Sequence, residues 1–167
     1  MPTYSAADIV GLVPAMTIVM PPEYEDHNGH VNVRHYYDLH MRAADVAFEE
    51  WGIDPDYLRR TNRSVFSVEH HIAYLSEVVV GDRVSLYVRL FARSAKVVHG
   101  MSVLVDDTSG LVANTVEFVE AHVDLTSRRA SPFGDDVAAA LDEAIAAHSA
   151  LPWSLPLAGR MGATRQV

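Results

Sequence analysis

Apolar residues recur at helical spacing from Val33 to Trp51, and then at every second position through four long runs between Phe66 and Leu125. Few folds accept that order. In the first stretch Val33, Tyr37, Ala44, Phe48 and Trp51 lie along one stripe, which Tyr36, Ala43 and Ala47 widen. Arg34, Asp38, Arg42, Asp45 and Glu49 line the other side. This predicts an amphipathic rod of roughly 28 Å. Gly52 ends it, and Asp54-Pro55 reads as the cap and first residue of a short second helix.

The strand runs follow. Phe66, Val68, Ile72 and Tyr74 alternate in the first, and Gly81-Asp82 turns the chain. Val84, Leu86, Val88 and Leu90 alternate in the second, then Val97, Met101, Val103 and Val105 in the third, interrupted by His99 and Gly100. After the turn at Asp107–Gly110 the fourth run extends from Leu111 to Leu125, and its apolar phase slips between Phe118 and Val119, where a β-bulge is expected. A short strand, Met16 to Met20, precedes the long helix and is stopped by Pro21-Pro22. An Ala-rich amphipathic helix from Asp135 to His148 follows the strands, and the proline-punctuated end is irregular.

A wide antiparallel sheet and one long apolar helix bury each other when the sheet curls around the helix. The expectation is an α+β chain of the hotdog architecture: a long central helix wrapped by an antiparallel meander, with a C-terminal helix. At 167 residues it makes one domain, 1–167, with a core at about 14–127 and a helix and tail at 131–167. Joining two such sheets edge to edge would dispose of the exposed edge strand, giving a homodimer or a dimer of dimers.

Composition narrows the chemistry. Cysteine is absent, so no disulfide, thiolate ligand or thiol nucleophile is available. A formal charge of −9 disfavours nucleic-acid partners. No window is apolar enough for a membrane span, and the first sixteen residues lack the pattern of a secretory signal, so a cytoplasmic location is expected.

The densest polar stretch is DHNGHVN, Asp26 to Asn32, at the entrance to the apolar helix. Asn32 is a favoured cap, which leaves the amides just after it, on Val33 and Arg34, among the orphan donors of the first turn. Such a helix start welcomes negative charge. Gly29 permits a positive φ or a close backbone approach, and Asp26 sits near enough to face the same small volume. One carboxylate and one electropositive backbone pole facing a single carbonyl suit acyl transfer to water: the amides stabilise the oxyanion, and the carboxylate activates water or attacks the carbonyl itself. Asp, Asn, Gly and His are also ordinary turn residues, so a purely structural loop stands beside that reading. No G-x-S-x-G elbow offers a serine nucleophile.

The pattern D-x-N-G-H-x-N before a long helix resembles the hotdog acyl-CoA thioesterases of the 4-hydroxybenzoyl-CoA thioesterase-like branch, and within it the betainyl-CoA thioesterases of carnitine catabolism. Further support comes from the stretches Ser64 to Asp82, Ala121 to Phe133 and Leu151-Pro152 to Gly159-Arg160. The resemblance implies that Asp26 is the catalytic carboxylate, that Val33 lends its backbone N–H to an oxyanion hole, and that Asn28, Gly29, His30 and Asn32 shape the site. His27 stands where that family more often has tyrosine. It further implies an acyl-CoA substrate, no metal or redox cofactor, and a site between two subunits. Two rivals share the fold: a non-catalytic acyl-CoA-binding module, and a hydratase, whose D-x-N-P-x-H spacing is not met here.

Other residues are weaker candidates. Glu69 could be a second polar group in a neighbouring subunit's cleft, and Arg128-Arg129 could meet the phosphates of coenzyme A. His70 and His71, adjacent in a strand, should point to opposite faces. Together with His122 they read as satisfied or interface histidines. His35 and His40 do not share a helix face well, no H-E-x-x-H occurs, and the Asp26 loop has its glycine at the wrong position for an EF-hand, so no metal site is expected. Trp51, Trp153, Tyr36 and Tyr37 read as core or interface aromatics, some of which would have to cage the acyl group if it is cationic.

Overall fold

A computed structural model describes residues 4–163. β1 (Met16–Val19) leads through a 3-10 turn to α1 (Val33–Glu50) and α2 (Pro55–Thr61). Then come β2 (Arg63–Tyr74), β3 (Arg83–Arg93), β4 (Val97–Asp106), β5 (Leu111–Asp124), a two-residue β6 (Arg129–Ala130) and α3 (Asp135–Ser149). The strands form one antiparallel sheet in the order β1-β3-β4-β5-β2, with β6 beside the end of β5. The sheet wraps α1 in the hotdog arrangement.

α1 starts where the sequence provides a cap. Asn32 has extended backbone, and its side chain accepts the Arg34 N–H at 3.2 Å. Its buried face is Tyr36, Leu39, His40, Ala43, Ala44, Ala47 and Phe48. That stripe is rotated from the predicted one: Val33 is 60% and Tyr37 38% exposed, whereas Leu39 and His40 are fully buried. Against this face the sheet sets Leu86, Leu90, Leu104 and Phe118, each of them buried. Side chains of that size contribute about 2 kcal/mol apiece when removed from water.

Three expectations need correction. The four long strands are not one meander, because β2 pairs with β5 and not with β3; β1 occupies the edge of β3 that a meander would require. The irregularity in β5 is not at Phe118/Val119, where pairing to β4 is continuous. The register shifts fall instead at Val68 in β2 and at Ala113 in β5. The apolar phase slips simply because β5 is buried on both faces. Nor is β4 interrupted: it is buried along its whole length. A Cβ at Gly100 would stand 2.6 Å from the Phe118 ring and 2.7 Å from the Arg89 carbonyl, so only glycine fits there.

The second face of the sheet is covered by the two chain ends. Ile9 packs with Met101, Val103, Val105 and Val112, and Trp153 and Leu155 join them. Trp153 Nε1 donates to the Val10 carbonyl at 2.8 Å, and Arg89 stacks on the Trp153 ring at 4.5 Å. Glu117, buried and bonded to His99 at 2.8 Å, accepts the Ala158 N–H at 2.6 Å. β2 therefore remains as a twelve-residue edge strand, with Phe66, Val68 and Tyr74 each more than 40% exposed.

Candidate active site

The DHNGHVN stretch is a tight hairpin fastened to the start of α1. Asn32 N–H donates to the Tyr24 carbonyl at 2.8 Å, and Asp26 N–H donates to the His30 carbonyl at 2.9 Å. Gly29 turns the chain at φ +85°, a conformation glycine adopts without strain. The Tyr24 ring stacks on His35 of the first helical turn, centroids 3.8 Å apart. The hairpin thus has no freedom to swing from the helix.

Within it, Asp26 Oδ1 accepts the Asn28 N–H at 2.8 Å and lies 3.5 Å from His30 Nδ1. The Asn28 amide holds the Asp26 carboxyl below the usual carboxylate range; burial opposes this, and His30 and His27 reinforce it. The side chain is 12% exposed. Asn28 acts on Asp26 chiefly through its backbone N–H and to a lesser degree through its side chain.

The N–H of Val33 has no partner among the described residues, while that of Arg34 is taken by Asn32. Val33 also lines a cleft of about 310 Å³ with His30, Val31, Tyr36, Tyr74, Leu75, Ser76 and Glu77. Tyr36 is fixed in that wall because its hydroxyl accepts the Val78 N–H at 3.0 Å and its ring meets the edge of Tyr74. Asp26 does not itself line the cleft of a single chain; it stands at the rim behind His30. A carboxylate, a free amide at a positive helix end and an apolar wall can together bind and polarise a carbonyl.

Of the predicted site residues, Asp26, Asn28, Gly29, His30, Asn32 and Val33 come together. Glu69 does not join them. It lines a separate cavity of about 430 Å³ with His70, His71, Ala158, Arg160 and Met161, on the side covered by the tail. Arg128 and Arg129 are also elsewhere in the same chain: Arg128 sits 5.9 Å over the Phe66 ring, and Arg129 opens β6 opposite Asp124. Phe66 and the cleft residue Tyr74 are eight residues apart on β2, roughly 26 Å.

Two polar groupings escaped the sequence reading. Tyr37 Oη lies 3.0 Å from His70 Nδ1, and His70 Nε2 lies 2.9 Å from Glu120 Oε1, which also accepts from Ser67 at 3.0 Å. His40 is enclosed between Ser102 and Asn114, each at 2.7 Å. Only His40 left a signal: it falls within the period set by Tyr36, Leu39, Ala43 and Ala47. His70 and His71 both border the cavity beside the tail, and His122 is satisfied by Tyr57 and the Ser131 carbonyl.

The thioesterase-like superfamily model matches residues 20–141. The betainyl-CoA thioesterase of Pseudomonas aeruginosa is 31% identical over 131 residues, covering 78% of this chain and 82% of that protein. An L-carnitine dehydrogenase/betainyl-CoA thioesterase of Rhizobium meliloti is 29% identical over 126 residues, 75% of this chain but only 25% of that one. Among solved structures, a Staphylococcus aureus protein in complex with CoA superposes with a TM-score of 0.78 at 20% identity, covering 83% of this chain and 87% of the other. A 1,4-dihydroxy-2-naphthoyl-CoA thioesterase from Synechocystis gives 0.68 at 12% identity, covering 77% and 94%. At such identities the superpositions speak for the fold.

Proposed function

The chain belongs to the thioesterase-like superfamily, and from that premise we propose that it hydrolyses a small acyl-CoA, betainyl-CoA foremost, to the free acid and coenzyme A. One observation carries the mechanism: a carboxylate whose pKa the Asn28 amide lowers lies in the hairpin fastened to the helix start that offers the unpartnered Val33 amide. The thioester carbonyl oxygen takes the Val33 N–H. Oδ2 of Asp26 removes a proton from a water as that water adds to the carbonyl carbon. The oxyanion gathers charge against the positive end of α1, then collapses to expel the coenzyme A thiolate, which takes up the proton that Asp26 removed from the water and so restores the carboxylate. His30 closes the rim, while Gly29 and Asn32 set the geometry. Neither a metal nor a redox cofactor enters this scheme.

The working unit in this reading is a homodimer in the cytoplasm, where acyl-CoA esters are turned over. The exposed β2 edge supports it, since a second β2 running antiparallel would cover Phe66, Val68 and Tyr74 and complete the ladder. Such pairing sets the Phe66 end of one subunit against the Tyr74 end of its partner. Arg128, above Phe66, would then stand near the partner's cleft, where a coenzyme A phosphate could reach it.

Thiol release from a panel of betainyl, short aliphatic and aryl CoA esters tests the reading. At least one ester turns over, and Asp26→Ala lowers the rate on the order of a hundredfold or more. A variant that keeps the full rate ends the assignment of Asp26.

A further inference from the structure

Beyond Val33, α1 is joined to β2 and β5 by a chain of side chains, Tyr37 to His70 to Glu120. Tyr37 lies one turn beyond Val33, about 5.4 Å along the helix. When the proton of neutral His70 sits on Nε2 and is given to Glu120 Oε1, Nδ1 is the acceptor for the Tyr37 O–H. The lone pairs of the phenol oxygen then remain able to accept. His70 and Glu120 are recessed, their side chains 10% and 9% exposed, while Tyr37 is 38% exposed. Asp45 lies two turns further along the same edge of α1, with Glu49 beyond it lining a pocket with Phe48 and Ile53. The Asp45 carboxyl is pushed up by burial and then by Glu49 and Glu120, so these charges sense one another. Among the described residues no lysine or arginine pairs with Asp45, Glu49 or Glu120.

We propose that Tyr37, aligned by His70 and Glu120, forms the far end of the acyl pocket and selects an acyl group that ends in a cation over a neutral group of the same shape. The inference rests on the thioesterase reading above and adds the side chains that set its specificity. The phenol face and oxygen contact the cation, and the recessed carboxylate supplies the opposing charge at a depth where water screens it poorly. Glu120 and His70 are positioning residues; Tyr37 makes the contact.

The test compares betainyl-CoA with tert-butylacetyl-CoA, in which a carbon replaces the quaternary nitrogen. The expected wild-type preference for the cationic ester in kcat/KM is at least about tenfold, and Tyr37→Phe and Glu120→Gln each erase most of it, mainly through KM for the cationic ester. A merely structural role would lower both esters together and leave their ratio intact. If Glu120→Gln lowers Tm sharply, the partly exposed Tyr37→Phe and Asp45→Asn decide. Equal wild-type kcat/KM for the two esters, or an undiminished preference in Tyr37→Phe, overturns the proposal. Turnover of other acyl-CoAs but of neither of these overturns it while the thioesterase reading stands. Turnover of no acyl-CoA at all removes both.

Discussion

The hairpin at Asp26 and the groove at Tyr37 are neighbours on α1, yet they are built in opposite ways. Nearly every contact that shapes the hairpin lies within about one dozen residues, from Tyr24 to His35, and most run through the backbone; the exception is the Val31 N–H, which donates to the Val78 carbonyl at 2.9 Å. The groove draws Tyr37 from α1, Ser67 and His70 from β2 and Glu120 from β5, joined through side chains alone. A backbone-built site tolerates side-chain change but not a lost N–H; a side-chain site has the reverse weakness. The hairpin suits chemistry common to a family of thioesterases, and the groove suits the choice of acyl group.

The sharpest way to break this contrast is Val33→Pro. Proline at the first helical position lacks only an N–H that the helix does not use, and Asn32 at φ −63°, ψ 137° already has the conformation preferred before proline. Stability should change little, whereas kcat should fall on the order of a hundredfold, the effect of losing one oxyanion donor. Val33→Ala, which keeps the amide, serves as the control in the same thiol-release assay. Equal rates for Val33→Pro and Val33→Ala would remove the oxyanion role from this amide.

The same contrast explains what could be read from the sequence. The hairpin, the Asn32 cap, the Asp54-Pro55 helix start and the long strands are local patterns, and all are present. The place of β2 beyond β5 is not local; it depends on which edges remain when β1 has docked on β3. The rotated α1 stripe was missed because His40 counts as polar by composition, although Ser102 and Asn114 make it a core residue. Pairing of His70 with Glu120 requires the β2–β5 register, bulge included, which no period in either strand discloses. The expectations for Glu69, in a neighbouring subunit's cleft, and for Arg128-Arg129, on the phosphates of coenzyme A, concern contacts beyond one chain, which no local pattern encodes.

A second prediction, nearly as large, concerns what holds the groove in place. Asn114 donates its Nδ2 to the Ala73 carbonyl, so its Oδ1 accepts from His40 Nε2, and Nδ1 accepts from Ser102. Neutral His40 thereby ties α1 to β4, β5 and the edge strand β2. Burial, opposed by the Asn114 hydrogen bond, drives its pKa down to about 4. Below about pH 6.5 the unfolded chain takes up a proton here that the folded chain refuses, so stability is full above that pH and declines as pH falls toward 4. The loss is about 3 kcal/mol over the window. His122 and His148, also lowered by burial, act in the same direction. The measurement is therefore a difference: Tm against pH for the wild type and for His40→Gln, the variant having the shallower slope. Parallel curves would mean that His40 does not set the acid limit.

The smallest effect probes the hairpin's own geometry. Nothing lies within 4 Å of a Cβ built on Gly29, so Gly29→Ala introduces no clash and tests the left-handed conformation alone. That strain should destabilise by about 1 kcal/mol, and Gly29→Asn should recover part of it, because asparagine enters this region more readily. Chemical denaturation resolves a change of that size. If the carbonyl-binding geometry is set by the backbone, the loss of kcat in Gly29→Ala should exceed what its stability loss explains, with Gly29→Asn between it and the wild type. A Gly29→Ala enzyme that is destabilised but turns over normally would show that the hairpin needs only to exist, and that the angle at which it presents Asp26 is immaterial.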